Sequence, residues 1–278
     1  MKQKVSYKNV KKYIIVFLLI AFCFSFTACV LINIAVVPDS RVIGGIVICD
    51  SSPLLSLPRM DLENEDIAQL QYLTHLVDIR LNGNLITDPS PLAELPDLLL
   101  LNLSSNEISD LSTLTGFANL RRLTLGLNSI SDISPLSNLT NLNELSLDNN
   151  EISDLSPLAG LVNLTELRLC YNEISDLSPL AELRNLRYLR LNSNEISDLS
   201  PLAELTNLRS LELGNNSISC LESLAGLTYL RRLSLYNNEI SDLSPLSNLT
   251  NLEYLSVSGL QIVDWSPVEH VPDVRRRR

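Results

Sequence analysis

The stretch from Leu186 to Asn207 reads LRYLRLNSNEISDLSPLAELTN and holds one full unit of the pattern that fills most of this chain. Leu189 and Leu191 alternate with a polar residue, which is typical of a strand with one buried face. Asn194 follows at the point where the chain must turn, and Ser200-Pro201 is typical of the start of a short helical turn. The unit therefore predicts a strand, a turn and a helical segment within 22 residues.

The same unit recurs without insertion along residues 76–268. Successive units begin 22 residues apart, at Leu76, Leu98, Leu120, Leu142, Leu164, Leu186, Leu208, Leu230 and Leu252. Fixed-period self-similarity of this length is typical of solenoids, in which each unit buries its apolar face against its neighbours.

This spacing resembles the leucine-rich repeat, in the 22-residue form of bacterial internalin-like surface proteins and of the regulatory leucine-rich-repeat subunit of protein phosphatase 1. The resemblance covers Leu76 to about Val268. It implies an α/β repeat solenoid: an arc with a parallel sheet on its concave side and short helical turns or 3-10 segments on its convex side. It also implies a ladder of internal asparagines, formed by Asn84, Asn106, Asn128, Asn150, Asn172, Asn194, Asn216 and Asn238.

The ends of a solenoid need covers. Residues 54–75 follow the pattern incompletely and are interpreted as a degenerate N-terminal cap repeat, with residues 38–53 as a spacer before it. The last unit of the 76–268 repeat domain is also degenerate, and Trp265 is interpreted as a lid on the final core layer. Residues 269–278 form a basic tail, which is either solvated or in contact with an anionic polymer or lipid.

The N-terminus carries a targeting or anchoring signal. Residues 1–13 hold all five lysines and form a basic cytoplasmic prefix, whereas residues 14–37 contain no charge. A helix of this length spans about 36 Å, enough for a bilayer core of roughly 30 Å. Phe26–Cys29 resembles a lipobox, in which Cys29 would be lipidated after cleavage.

Three interpretations of this segment stay open: an uncleaved N-terminal hydrophobic helix that anchors the protein in the membrane with its N-terminus in the cytoplasm, a lipoprotein signal, and a secretory signal peptide. Each places the repeats outside the cytoplasm, at the cell surface or on a membrane. A buried helix of a soluble domain is the remaining interpretation.

Composition and motifs argue against catalysis and against nucleic acid as a partner. The net charge of −11 disfavours binding to a polyanion. The two histidines, His75 and His270, fall in opposite cap regions, and Cys170 has no histidine near it in the repeat pattern. Acidic columns recur in the turns but match no calcium-binding loop. We therefore expect no enzyme activity, no cofactor and no metal.

Binding residues are expected at the variable positions of the concave face. Tyrosine and arginine, which dominate binding hot spots, concentrate in the C-terminal half of that face. The candidate protein-binding residues are Tyr171, Tyr188, Tyr236, Tyr254, Arg168, Arg190, Arg232 and Glu166. The alternative is that these side chains stack on one another and stabilise the sheet.

The sequence thus predicts a monomeric, membrane-tethered, extracytoplasmic module that binds a protein, with residues 14–37 or a lipid on Cys29 as the tether. Two alternatives stay open. One is an intracellular scaffold similar to the phosphatase regulator, and the other is a structural envelope protein without a specific ligand.

Overall fold

A computed structural model describes residues 40–43, 46–49 and 52–276. The apolar stretch 14–37, including Cys29, lies outside these residues. In the described ranges, no helix combines the length and apolar character needed to cross a bilayer.

Each repeat contributes one short strand to a single parallel sheet. Eleven strands, β3 to β13, lie side by side in chain order, and a separate antiparallel hairpin, β1 with β2, precedes them. The strands are β1 Ser40–Ile43, β2 Ile46–Cys49, β3 Leu54–Ser56, β4 Asp78–Arg80, β5 Leu100–Asn102, β6 Arg122–Thr124, β7 Glu144–Ser146, β8 Glu166–Arg168, β9 Tyr188–Arg190, β10 Ser210–Glu212, β11 Arg232–Ser234, β12 Tyr254–Ser256 and β13 Asp273–Arg275.

Short helical turns connect the strands on the opposite side, as the resemblance implied. One α-helix, α1 (Asn64–Ile67), lies in the cap. The 3-10 helices are Ala68–Tyr72, Ser90–Leu92, Ser112–Gly116, Ser134–Leu136, Ser156–Leu158, Ser178–Leu180, Ser200–Leu202, Glu222–Leu224, Ser244–Leu246 and Ser266–Val268. Together with the sheet they form the expected leucine-rich repeat architecture.

The core is one continuous stack of aliphatic side chains. In the unit from Leu186, every periodic position is buried: Leu186, Leu189, Leu191, Ile196, Leu199, Leu202 and Leu205. The neighbouring units repeat this arrangement in one contiguous cluster. Burial of a leucine or isoleucine side chain contributes roughly 1.5–3 kcal/mol, so stacking of equivalent layers supplies the main stabilisation.

The predicted ladder asparagines hydrogen-bond backbone groups of two neighbouring units. Asn150 donates from Nδ2 to the carbonyls of Leu125 and Leu147, at 3.1 and 3.0 Å, and its Oδ1 accepts from the N–H of Ile130 at 3.0 Å. Asn84 makes equivalent bonds to Leu57 and Leu81. These side chains satisfy backbone groups that the turn would otherwise leave unpaired inside the solenoid.

A second asparagine ladder, which the repeat pattern did not predict, closes the opposite end of most repeats. Each of its side chains donates to a backbone carbonyl of the preceding unit; Asn141, for example, donates to Ala118 at 2.8 Å. The ladder consists of Asn119, Asn141, Asn163, Asn185, Asn207 and Asn251. Its sequence signal is the asparagine that immediately precedes the first leucine of most units.

The N-terminal cap differs from the predicted register. Leu55 pairs with Ile79, an offset of 24 residues rather than 22, so the cap unit is longer than its neighbours. Leu57 therefore takes the second strand position, and Met60 takes the position of the ladder asparagine. The predicted spacer, residues 38–53, contains the β1–β2 hairpin, whose Ile43 is fully buried in the core cluster.

The C-terminal end also corrects a prediction. Part of the predicted basic tail forms β13, in which Asp273 pairs with Tyr254, so the sheet extends beyond residue 268. Arg276 lies over the ring of Trp265, at 4.0 Å from its centroid. Trp265 is partly buried and packs against the last core layer, which agrees with its interpretation as a lid. The offset of 19 residues shows that the last unit is shortened.

Candidate binding face

The solvent-facing side of the sheet carries the variable side chains in straight rows. Parallel register places Glu166 beside Tyr188, Arg168 beside Arg190, and Arg232 beside Tyr254. The predicted binding residues therefore occupy one surface, formed by β8 to β12 and the turns that follow these strands. They differ in solvent exposure and in their contacts with neighbouring side chains.

Tyr171 and Tyr188 are the most accessible of the four candidate tyrosines, with 55% and 44% of their surface exposed. Tyr188 lies within β9, whereas Tyr171 lies in the turn after β8 and has a φ of +57°. Left-handed φ values favour glycine and asparagine and cost a bulky residue roughly 1–2 kcal/mol. The equivalent turn residues of the other units are Gly83, Ser105, Leu127, Asn149, Ser193, Asn215, Asn237 and Gly259, all with positive φ.

Tyr236 is less available than the pattern suggested. Its ring lies directly over Gly214, where a Cβ would overlap the ring carbons. Burial raises the pKa of Tyr236, with smaller contributions from nearby Tyr171 and Cys170. The side chain therefore lies along the sheet, across the glycine of the preceding unit, and partly fills the floor of the face.

The arginines of the face are paired with neighbours. Arg168 and Glu166 form an ion pair at 2.5 Å, and Arg190 and Glu212 form one at 3.4 Å. Arg232 lies over the ring of Tyr254, 4.8 Å from its centroid. Exposed pairs of this kind contribute about 0–1 kcal/mol each, so they orient the side chains more than they stabilise the fold.

Cys170 lies on the floor of the face and is unsuited to nucleophilic chemistry. Burial, followed by the charge of Asp148, raises the pKa of its thiol to about 12. The thiolate is the reactive form of cysteine, and at neutral pH its population is very small. The Cys170 N–H donates to Asp148 Oδ1 at 2.7 Å, and burial raises the pKa of that carboxyl. The arrangement is a packed polar row rather than a reactive centre.

Two of the shallow hollows on this side of the sheet border candidate residues. One, of about 410 Å³, is bordered by Arg122, Glu144, Glu166 and Arg168. The other, of about 170 Å³, is bordered by Glu212, Arg232 and Tyr254. Both have polar, charged rims, unlike the mostly apolar, enclosing pockets that hold small ligands.

The repeat pattern matches a known family. Residues 118–160, 162–204, 184–226 and 228–270 match the family described as "Leucine Rich repeats (2 copies)". The chain belongs to the leucine-rich repeat family. Among curated proteins, none matches it in sequence.

Solved leucine-rich repeat structures place it with the internalins. An internalin (inlF) of Listeria monocytogenes is 36% identical, with a TM-score of 0.71 over 83% of this chain and 76% of that chain. An internalin C2 (inlC2) of the same species is 32% identical, with a TM-score of 0.56 over 79% of this chain and 85% of that chain. The similarity to internalins that the 22-residue repeat indicated is thereby confirmed.

A plant leucine-rich repeat protein shares the fold at greater distance. The plant peptide hormone receptor RGFR1, solved in complex with RGF2, is 27% identical, with a TM-score of 0.62. The match covers 70% of this chain and 34% of that chain. The leucine-rich repeat fold therefore serves a ligand-binding receptor as well as the internalins.

The aspartate column of this leucine-rich repeat chain, which includes Asp154, Asp176, Asp198 and Asp242, has a structural explanation. Each aspartate of the column accepts a hydrogen bond from the backbone N–H two residues later; Asp198 Oδ1, for example, accepts from Ser200 at 2.8 Å. These bonds lower the pKa of Asp198, as they do for Asp154, Asp176 and Asp242. In the described residues, groups of three or more side chains suited to holding a metal ion are absent.

Cys220 interrupts this column. Its exposed thiol donates to Glu222 Oε2 at 2.5 Å, and that bond raises the pKa of the thiol. The unit from Leu208 therefore lacks the aspartate that, in other units, accepts a hydrogen bond from the backbone N–H at the start of the next helical turn. A local departure at this turn was visible in the sequence, but its hydrogen bond was not.

Proposed function

We propose that this protein is a recognition module that binds a partner protein through the C-terminal half of its concave face, β8 to β12. The observation that carries the proposal is the exposure of Tyr171 in a left-handed turn position. Most other units have glycine, serine or asparagine at this position. Strained backbone positions with bulky side chains concentrate at functional sites, because external contacts compensate their intrinsic cost.

The surroundings of Tyr171 support protein binding in particular. Tyr188 is exposed nearby, and the ion pairs Arg168–Glu166 and Arg190–Glu212 supply a polar border. An aromatic centre with a polar rim is typical of protein interfaces. The alternative role of stacking within the sheet applies best to Arg232 and Tyr254, which already contact one another.

We further propose that the module acts on the extracytoplasmic side of a membrane, tethered through residues 14–37 or a lipid on Cys29. The relation to internalins and the basic prefix followed by an apolar stretch support this location. Protease treatment of intact cells is expected to remove the repeats. Repeats that are degraded only after lysis would contradict the surface location. Radioactive palmitate incorporation that Cys29→Ala abolishes would identify the tether as a lipid.

Site-specific photo-cross-linking in cells tests the binding face. A benzophenone side chain at position 188 is expected to capture a defined partner, whereas the same group at exposed Val162, outside the strands, is not. Tyr171→Ser, which introduces the residue found at Ser105 and Ser193, is expected to weaken capture at position 188 without unfolding the repeat. Equal capture at both positions, or capture unaffected by Tyr171→Ser, would contradict the proposed face.

A further inference from the structure

Three arginines stand in a row where successive strands begin. Arg187, Arg209 and Arg231, here called the arginine row, directly precede β9, β10 and β11 at the same repeat position. All three are exposed. Adjacent strands are about 4.8 Å apart, so the parallel register brings three positive charges together along one edge of an otherwise acidic solenoid.

The arginine row is short of counter-charges. Arg231 pairs with Glu253 at 3.2 Å. Within the part of the chain that the structure describes, the side chains of Arg187 and Arg209 have neither an ion pair nor a hydrogen bond. The adjacent positive charges of the row repel one another. Carboxylates are abundant in the molecule, but most of them lie elsewhere. The row therefore presents unpaired positive charge that an external anion can neutralise.

A break in the second asparagine ladder lies beside the row. Asn207 and Asn251 donate to the carbonyls of Arg184 and Thr228, at 2.8 and 2.9 Å. The unit between them has Tyr229 at this position, which cannot make the equivalent bond to Thr206, and 62% of its surface is exposed. An exposed residue that lacks a stabilising contact made in most other repeats is expected at functional positions.

We propose that the arginine row and Tyr229 form a second binding surface, which takes an acidic segment of a partner protein. The row spans about 10 Å, the length of three to four residues of extended chain. Arginine forms paired hydrogen bonds with carboxylates, and an exposed tyrosine beside arginines is typical of protein interfaces. The surface lies at the edge of the sheet and does not depend on the function proposed for the concave face.

The surroundings of the row favour a short acidic segment over a long polyanion. Glu253 follows the row at the same repeat position. A sulfated polysaccharide that extends past Arg231 would meet this carboxylate. A segment of a few acidic residues contacts the arginines alone.

A fluorescein-labelled hexaglutamate peptide tests the proposal by fluorescence anisotropy with the full-length chain. The double substitution Arg187→Ser and Arg209→Ser is expected to weaken binding about 10-fold, since each exposed charge pair is worth up to roughly 5-fold. Arg121→Ser is the matched control, because Arg121 occupies the same repeat position between Leu99 and Asn143, away from the row. Equal losses in both variants would overturn the proposal.

Tyr229→Asn separates a binding role from a structural one. The new asparagine can donate to the carbonyl of Thr206, as Asn207 does to Arg184, so the thermal midpoint is expected to rise while peptide binding weakens about 5-fold. Unchanged peptide binding by this variant would overturn the role of Tyr229. Tighter binding of a heparin-derived hexasaccharide than of hexaglutamate would overturn the acidic-protein assignment. Loss of peptide binding in Tyr188→Ala, with the row variants unaffected, would move the peptide to the concave face and overturn the second surface.

Discussion

Tyr236 covers Gly214, and the absence of a side chain at Gly214 is what allows the ring to lie flat along the sheet. This contact joins neighbouring units across the floor of the proposed binding face. It also explains why Tyr236 is less exposed than Tyr171, although the same sequence argument selected both.

Gly214→Ala is expected to expel the Tyr236 ring and to lower the free energy of unfolding by about 1–3 kcal/mol, the usual result of overpacking. Urea denaturation measures the change. In the Tyr236→Ala background the same substitution should be nearly neutral, because the clash has been removed. Additive losses in the double variant would contradict the packing described for this pair.

Asn150→Ala should be strongly destabilising. It leaves the carbonyls of Leu125 and Leu147 and the N–H of Ile130 without their side-chain partner. Each buried unsatisfied group costs about 1–3 kcal/mol. Asn185→Ala, which removes one exposed bond to Val162 in the second ladder, is the matched comparison and should cost about 1 kcal/mol or less. Similar urea midpoints for the two variants would contradict the distinction between an internal and a peripheral ladder.

Leu127→Asn is expected to stabilise the protein. Leu127 has a φ of +59° and is 54% exposed, so it combines left-handed backbone with little buried apolar area. Asparagine, which the equivalent positions 149, 215 and 237 already carry, tolerates this conformation and should raise the free energy of unfolding by roughly 0.5–1 kcal/mol. The reverse change, Asn149→Leu, should lower it. A loss of stability in Leu127→Asn would show that the leucine contributes packing that its exposure conceals.

Stability should fall in acid through the aspartate column. The hydrogen bonds to Asp176, Asp198 and Asp242 lower their pKa values in the folded protein below the ordinary value of 3.8. Their contribution is therefore fully present above pH 3.8 and is lost as the pH falls through the lowered values. Replacement of all three by asparagine should flatten this decline in urea midpoints. Asp148→Asn is the control: burial raises the pKa of Asp148, so its removal should leave the acid decline in place.

The repeat period was sufficient to predict the sheet, the short helical turns and the buried positions, because each follows from local spacing that recurs in every unit. The caps were not predictable in the same way. The 24-residue offset between Leu55 and Ile79, and the extra strand at Asp273–Arg275, depend on how single, irregular segments dock on the ends. Nothing in the period marks such a change of register.

At the proposed binding face the sequence predicted which residues share one surface but not the state of each side chain. Tyr171 and Tyr188 are accessible, whereas Tyr236 fills the space above Gly214 and Arg232 contacts Tyr254. These differences arise from rotamers and from neighbours one repeat away. The residue type at a single position therefore gives an incomplete prediction of exposure.

The constant offset between β4 and β12 has an evolutionary consequence. Every strand pair in this stretch joins equivalent positions of adjacent units, and the bonds of the internal asparagine ladder recur with the same spacing, so loss or duplication of one whole unit leaves compatible surfaces on either side of the junction. Recombination within the gene can thus change the separation between Tyr188 and Tyr254 in steps of about 4.8 Å without redesign of the core. The spacing of contact residues becomes a heritable quantity with discrete values.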